Sequence, residues 1–144
     1  MYQGSCLCGT VRYEIAGELG PITLCHCSRC RKANGSAFLA ATPVVPSEFK
    51  IVSGTESLGD FESSPGVHRI FCRNCGSPIF SRRPGPPEII RVRVGTLDTY
   101  LNLKPQAHIF FADRAEWYEL QDDVAKYAGP PPFGLAAPIP KSGA

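Results

Sequence analysis

Short runs in which apolar and polar residues alternate, each closed by Gly, Pro or Ser, fill most of this 144-residue chain. Val11, Tyr13 and Ile15 alternate with Arg12 and Glu14, the period of a strand with one face buried. Pro21 opens a short extended piece, Ile22-Thr23-Leu24, that leads into Cys25. Ala37 to Thr42 is apolar and bounded by Pro43, which predicts another strand. Further strands are predicted at Phe49–Val52, Glu56–Phe61, Val67–Phe71 and Ile79–Arg82. Ile90, Val92 and Val94 alternate with Arg91, Arg93 and Gly95, and a last extended run covers Ala107 to Phe111. The one helical signal is short: Ser28 as a cap, a turn through Arg31-Lys32-Ala33, and Gly35 to end it. The pattern predicts a mainly β domain of small antiparallel sheets with few short helical turns.

The length suits a single domain able to bury its own core. That domain is expected over residues 1–128, because from Gly129 the chain turns to Pro, Gly and Ala (Gly129-Pro130-Pro131-Pro132, then Pro138 and Pro140). Residues 129–144 read as an extended C-terminal tail, with a polyproline ligand as the alternative. No apolar run is long enough to span a bilayer. Met1-Tyr2-Gln3-Gly4-Ser5-Cys6 has neither a basic nor an apolar leader region, so a reducing cytoplasm is the expected compartment.

Composition becomes informative at the cysteines, of which there are 7. An odd number in a reducing compartment favours metal over disulfides. Cys6-Leu7-Cys8-Gly9 and Cys72-Arg73-Asn74-Cys75-Gly76 are two knuckles, each followed by a Gly that permits a tight turn toward the sulfurs. Together they make a closed Cys₄ site of the kind that stabilises a fold, with zinc favoured and iron the alternative. A redox Cys-x-x-Cys is disfavoured because Gly76-Ser77-Pro78 forbids the helix such a motif opens.

Cys25-His26-Cys27-Ser28-Arg29-Cys30 is different, since its three thiols have no cysteine left to complete them. Three thiolates leave a tetrahedral ion one position short, as catalytic zinc sites are. His26 lies between two ligands and is expected to point away from the ion. His68 and His108, each in an alternating strand, are more simply structural. An outside molecule is therefore the expected fourth ligand.

These blocks resemble a known family. The sequences around Cys6-Leu7-Cys8-Gly9, Cys25 to Lys32, Gly35-Ser36-Ala37-Phe38 and Phe71 to Gly76 are similar to those of the glutathione-dependent formaldehyde-activating enzymes, a family that includes centromere protein V. Gly95-Thr96-Leu97-Asp98, His108-Ile109-Phe110 and Arg114-Ala115-Glu116-Trp117 resemble its later blocks. The resemblance implies an Mss4-like β-tent with two zinc ions, a structural one on Cys6, Cys8, Cys72 and Cys75 and a catalytic one on Cys25, Cys27 and Cys30. It also implies a carbon–sulfur lyase-type activity that adds glutathione to formaldehyde. On that reading Arg29, Arg31 and Lys32 offset the thiolate charge and hold the glutathione carboxylates, and Ser36 or an amide beside Cys30 meets the developing alkoxide.

Charge separates this reading from its rivals. The formal charge of +2 counts every cysteine as neutral; seven thiolates on two divalent ions bring it to about −1. A near-neutral protein makes nucleic acid an unexpected partner. The rival classes are a non-catalytic zinc module for protein or nucleic-acid contact, and a redox sensor at Cys25, Cys27 and Cys30.

Overall fold

The computed structural model describes residues 1–134, so the last part of the Pro-rich tail, 135–144, lies outside the described residues. The chain is mainly β, built as two sheets. The smaller contains β1 (Tyr2–Ser5), β2 (Arg12–Ile15) and β5 (Phe49–Ser53), in the order β1-β2-β5. The larger holds β3 (Thr23–Cys25), β4 (Leu39–Val44), β6 (Leu58–Ser64), β7 (Val67–Cys72), β8 (Pro78–Arg83), β9 (Ile89–Arg93), β10 (Ala107–Ile109) and β11 (Ala125–Lys126). Its order is β11-β10-β3-β4-β9-β8-β7-β6. All neighbours are antiparallel except at one end, where β10 runs parallel to both β3 and β11. Among the described residues the single α-helix, α1 (Ser28–Asn34), follows β3 directly.

The alternation that predicted β2 does what a period of two requires. Tyr13 and Ile15 point into a core shared by the two sheets, packed with Val11, Val44, Ile70, Ile79 and Val92, while Arg12 faces solvent. Gly4 on β1 has no side chain because there is no room for one: a Cβ there would lie 2.2 Å from Tyr13 Cζ. The Tyr13 hydroxyl completes the wedge, lying 2.7 Å from Thr96 Oγ1.

Three local expectations change. Ser28 is the first residue of α1 and not its cap; Cys27 is the cap, and its Sγ accepts from Cys30 N. Gly35 ends the helix in the left-handed conformation, as expected. Pro43 lies inside β4, opposite Arg91, rather than ending it. The position tolerates a residue without an N–H because β3 stops pairing at Ala41, and Pro43 O is met instead by Gly20 N at 2.8 Å. Ala107 to Phe111 is strand only as far as Ile109, since Phe110 takes a positive φ of 50° and turns the chain. Strands β1 and β11 have too little alternation to be seen in sequence. At the start of the Pro-rich segment, Gly129 O accepts from Phe110 N at 2.9 Å and Pro131 is buried.

Candidate metal centres

The two cysteine sets lie in separate parts of the core, Cys6 and Cys72 in one cluster and Cys25 and Cys30 in another. Cys6 and Cys8 come from the β1–β2 turn, and Cys72 and Cys75 from the β7–β8 turn. Gly9 and Gly76, the residues after each knuckle, have φ of 79° and 81°, so both turns use the left-handed backbone that glycine allows. All seven thiols are free. In the first set Cys6 Sγ and Cys8 Sγ are 3.6 Å apart, and Cys8 Sγ and Cys72 Sγ 3.9 Å. Four sulfurs at about 2.3 Å from a tetrahedral ion lie about 3.8 Å from one another, so these spacings fit one metal.

Neutral donors surround that set. Val11 N donates to Cys6 Sγ at 3.2 Å and Asn74 Nδ2 to Cys8 Sγ at 3.1 Å. The Thr10 hydroxyl, 3.1 Å from Cys8 Sγ, pulls that thiol down to about 7, and Ser77 holds Cys75 down at about 5. Burial pushes Cys72 up to about 11. Two of the four thiols are thus ready to ionise near neutral pH, which is what a metal ligand needs.

The second set gathers Cys25 at the end of β3, Cys27 at the helix cap and Cys30 in the first turn of α1. Their sulfurs all lie within 4.8 Å of one another, close enough to share an ion. Hydrogen bonds within the group act in opposite directions: Cys27 and then Cys30 push Cys25 up, whereas Cys25 and then Cys27 hold Cys30 down. Arg69 Nη2 adds a charged donor to Cys30 Sγ at 3.8 Å. Cys25 and Cys30 are buried with Leu39, Ala41, Ala107 and Ile109, so one side of the set is dry.

His26 points away from the sulfurs. Its Nε2 lies 2.8 Å from His108 Nδ1, and His108 Nε2 lies 3.0 Å from Asp122 Oδ2. A carboxylate accepts, so His108 Nε2 carries a proton toward Asp122, its Nδ1 is the acceptor, and His26 Nε2 donates. The backbone is fixed as well: His26 N donates to Ile109 O at 3.0 Å, and Arg31 Nε to His26 O at 3.2 Å. The ring packs edge-on against Phe111, and burial lowers its pKa to about 4. His26 is a peg that ties the three-thiol loop to β10. His68, by contrast, is on β7 between Asp60 and Glu62.

Of the other residues singled out in the sequence, Arg29 and Lys32 are exposed on α1. Ser36 donates to Phe38 O at 2.5 Å and accepts from Asn34 Nδ2 at 2.8 Å. A cation group absent from the sequence reading also stands here. Arg91 and Arg93 on β9 and Arg69 on β7 occupy one face of the sheet with Cys25, linked in register through Ala41 and Ser81. Their alternation with Ile90 and Val92 puts the β9 arginines on the face opposite those two residues. The helix and its cysteines cover that face, and Arg93 is 6% exposed.

The geometry can be set beside known proteins. A family model described as glutathione-dependent formaldehyde-activating enzyme matches residues 1–113, which include both cysteine sets. The chain belongs to the glutathione-dependent formaldehyde-activating enzyme family. An uncharacterised lyase of Schizosaccharomyces pombe is 26% identical over 127 residues, covering 88% of this chain and 90% of that protein. A putative glutathione-dependent formaldehyde-activating enzyme of Aspergillus flavus is 30% identical over 80 residues, 54% of this chain. That match covers only 41% of the Aspergillus protein, and one to a Pyrenophora teres protein of the same description covers 42%. Among solved structures, a Rhodobacter sphaeroides protein superposes with a TM-score of 0.58 at 28% identity, covering 69% of this chain and 91% of that one. Among the described residues no helix is long and apolar enough to cross a membrane.

Proposed function

We propose that this chain is a zinc-dependent carbon–sulfur lyase-type enzyme that joins a small thiol, glutathione, to formaldehyde at the Cys25–Cys27–Cys30 set. The observation that carries the reading is the division of the thiols into one set of four and one of three. Cys6, Cys8, Cys72 and Cys75 would hold a structural zinc closed by four sulfurs, and Cys25, Cys27 and Cys30 a second zinc with one position for substrate. When bound there, zinc supplies a site at which a soft thiol gives up its proton near neutral pH. The family assignment and the lyase description of the S. pombe relative support the same class.

The reaction is an addition with no change in oxidation state. The thiol sulfur bonds to the aldehyde carbon, the carbonyl π bond opens onto oxygen, and the proton from sulfur ends on the new hydroxyl. The protein's part is to orient and to neutralise. Arg69 draws charge from the Cys30 sulfur, and the His26 peg holds the Cys25–Cys27 segment rigid. Arg29 and Lys32, exposed on α1, meet the charged parts of the ligand from the solvent side. Ser36, with Asn34 and Phe38, lines a cleft of about 540 Å³ beside the helix, where its hydroxyl would exchange Phe38 O for the developing alkoxide as acceptor.

The test is the rate of S-hydroxymethylglutathione formation, followed by NMR, with protein containing two metal equivalents. Acceleration over the uncatalysed addition, abolished in Cys27→Ser, is expected. A rate equal to the uncatalysed one, with both ions bound, overturns the reading.

A further inference from the structure

Among the described residues, the arginine row under α1 has no carboxylate to balance it. Arg69 donates from Nε to Ser63 Oγ at 2.9 Å, Arg91 from Nη2 to Thr23 Oγ1 at 3.0 Å, and Arg93 from Nη1 to Ser81 Oγ and Arg91 O, both at 3.4 Å. All of these acceptors are neutral. None of the salt bridges among the described residues includes any of the three guanidiniums. The Nε atoms of Arg91 and Arg93 are buried and have no hydrogen-bond partner at all. An unpartnered donor on a buried cation is expensive, and three adjacent cations compound the cost. The thiol set offsets only part of this, because three thiolates on a divalent ion carry a net charge of about −1. A surplus of about two positive charges therefore remains.

Space for the missing anion adjoins the row. Arg69 and Arg93 line a cleft of about 500 Å³ whose other walls include Ala33, Phe61, Pro78 and Phe80. Ala33 is one helical turn past Cys30, and Arg69 reaches the Cys30 sulfur, so the cleft adjoins the three-thiol set. Its cationic end suits a planar anion held by paired guanidinium N–H groups, and its apolar walls suit a methylene chain.

We propose that Arg69 and Arg93, braced from behind by Arg91, form a carboxylate site that holds the acid end of the thiol ligand while its sulfur faces Cys25, Cys27 and Cys30. The proposal rests on the thiol-binding reading above and adds the residues that select a carboxylate-bearing thiol over a neutral one.

Zinc-loaded full-length protein is titrated with 3-mercaptopropionate, its neutral analogue 3-mercaptopropionamide, and propionate. Affinity is read by calorimetry, and the arginine Nε–H resonances by ¹H–¹⁵N NMR. The acid thiol should bind about tenfold or more tighter than the amide, the gain of one charge-assisted pair. It and propionate should shift the Arg93 Nε–H signal, and the amide should not. Arg69→Gln should bring the acid and amide thiols to equal affinity, and Arg69→Lys should keep part of the preference. Equal affinity for acid and amide, or an Arg93 signal indifferent to both carboxylates, overturns the proposal. The NMR arm uses the unsubstituted protein and does not depend on any variant folding. The two readings fail separately: propionate that moves the Arg93 signal and binds as tightly as the acid thiol upholds the carboxylate site and removes the thiol. An amide that binds while no carboxylate moves Arg93 does the reverse.

Discussion

The two cysteine sets use the same ligand in opposite settings. The set of four joins turns more than sixty positions apart in sequence, and neutral groups surround it: Thr10, Asn74, Ser77 and the Val11 amide. The set of three is local, confined to one loop and one helical turn, and has arginines beside it. The first arrangement ties the two sheets together and offers four sulfurs, enough to fill a tetrahedral ion. The second has little to contribute to long-range order, and its cationic surroundings suit an exchange of anions. Sulfur count and the charge of the neighbours together distinguish the two sets: four sulfurs among neutral groups, three beside arginines.

The sharpest way to break this contrast is to remove one sulfur from each side. Cys72→Ser should destabilise the protein by about 4 kcal/mol or more, the range reached when a structural metal is lost. Cys27→Ser should lose one metal equivalent and leave the fold, measured by metal analysis beside thermal unfolding. Comparable unfolding by both variants would erase the distinction.

Next in size is His108→Ala, which removes the partner of a buried His26 and leaves a void. A cost of about 2–4 kcal/mol is expected from the orphaned donor and the cavity together. Because the peg positions only the three-thiol loop, affinity for the second ion should fall about tenfold while the first is unchanged. Competition with a chromogenic chelator separates the two ions.

Asn74→Ala tests the other side. It deletes the donor to Cys8 Sγ and should cost about 1 kcal/mol, seen as weaker retention of the first ion alone.

The smallest effect concerns Asp122, whose carboxyl is held below its ordinary value of 3.8, chiefly by the hydrogen bond from His108. A depressed carboxylate stabilises the folded state above that pH and loses its contribution as pH falls below it. The difference in unfolding midpoint between the unsubstituted protein and Asp122→Asn should accordingly be constant near neutrality and close below about pH 3.8. A gap that widens in acid would contradict the assignment.

Much of this was legible from the chain alone, for a physical reason. Alternation reports burial on one face, so β2, β5, β7, β8 and β9 emerged near their true limits. Cysteine spacing reports which sulfurs can converge, so both sets were found whole. The helix cap was misassigned because Ser is the commoner cap, and nothing local says that a ligand sulfur has taken its place. His108 and Asp122 were missed as partners because β10 joins β3 in parallel, a pairing between residues 84 apart that leaves no local trace. The arginines of β9 were missed for a related reason. Arg-Val-Arg beside Ile reads as one wet face, and only the placement of α1 across the sheet shows that both faces are covered.

The sulfur of Cys27 is placed for two tasks, since it lies in the three-thiol set that could hold an ion and also receives the amide of Cys30 at the start of α1. Seven residues are too few for a helix to persist by itself in water. Order in this turn is thereby linked to the ionic state of one atom: a sulfur bearing negative charge is the better acceptor, and winding of the segment and capture of a cation reinforce each other. Amide hydrogen exchange at Cys30 reports that linkage directly, with protection rising as the cation is supplied.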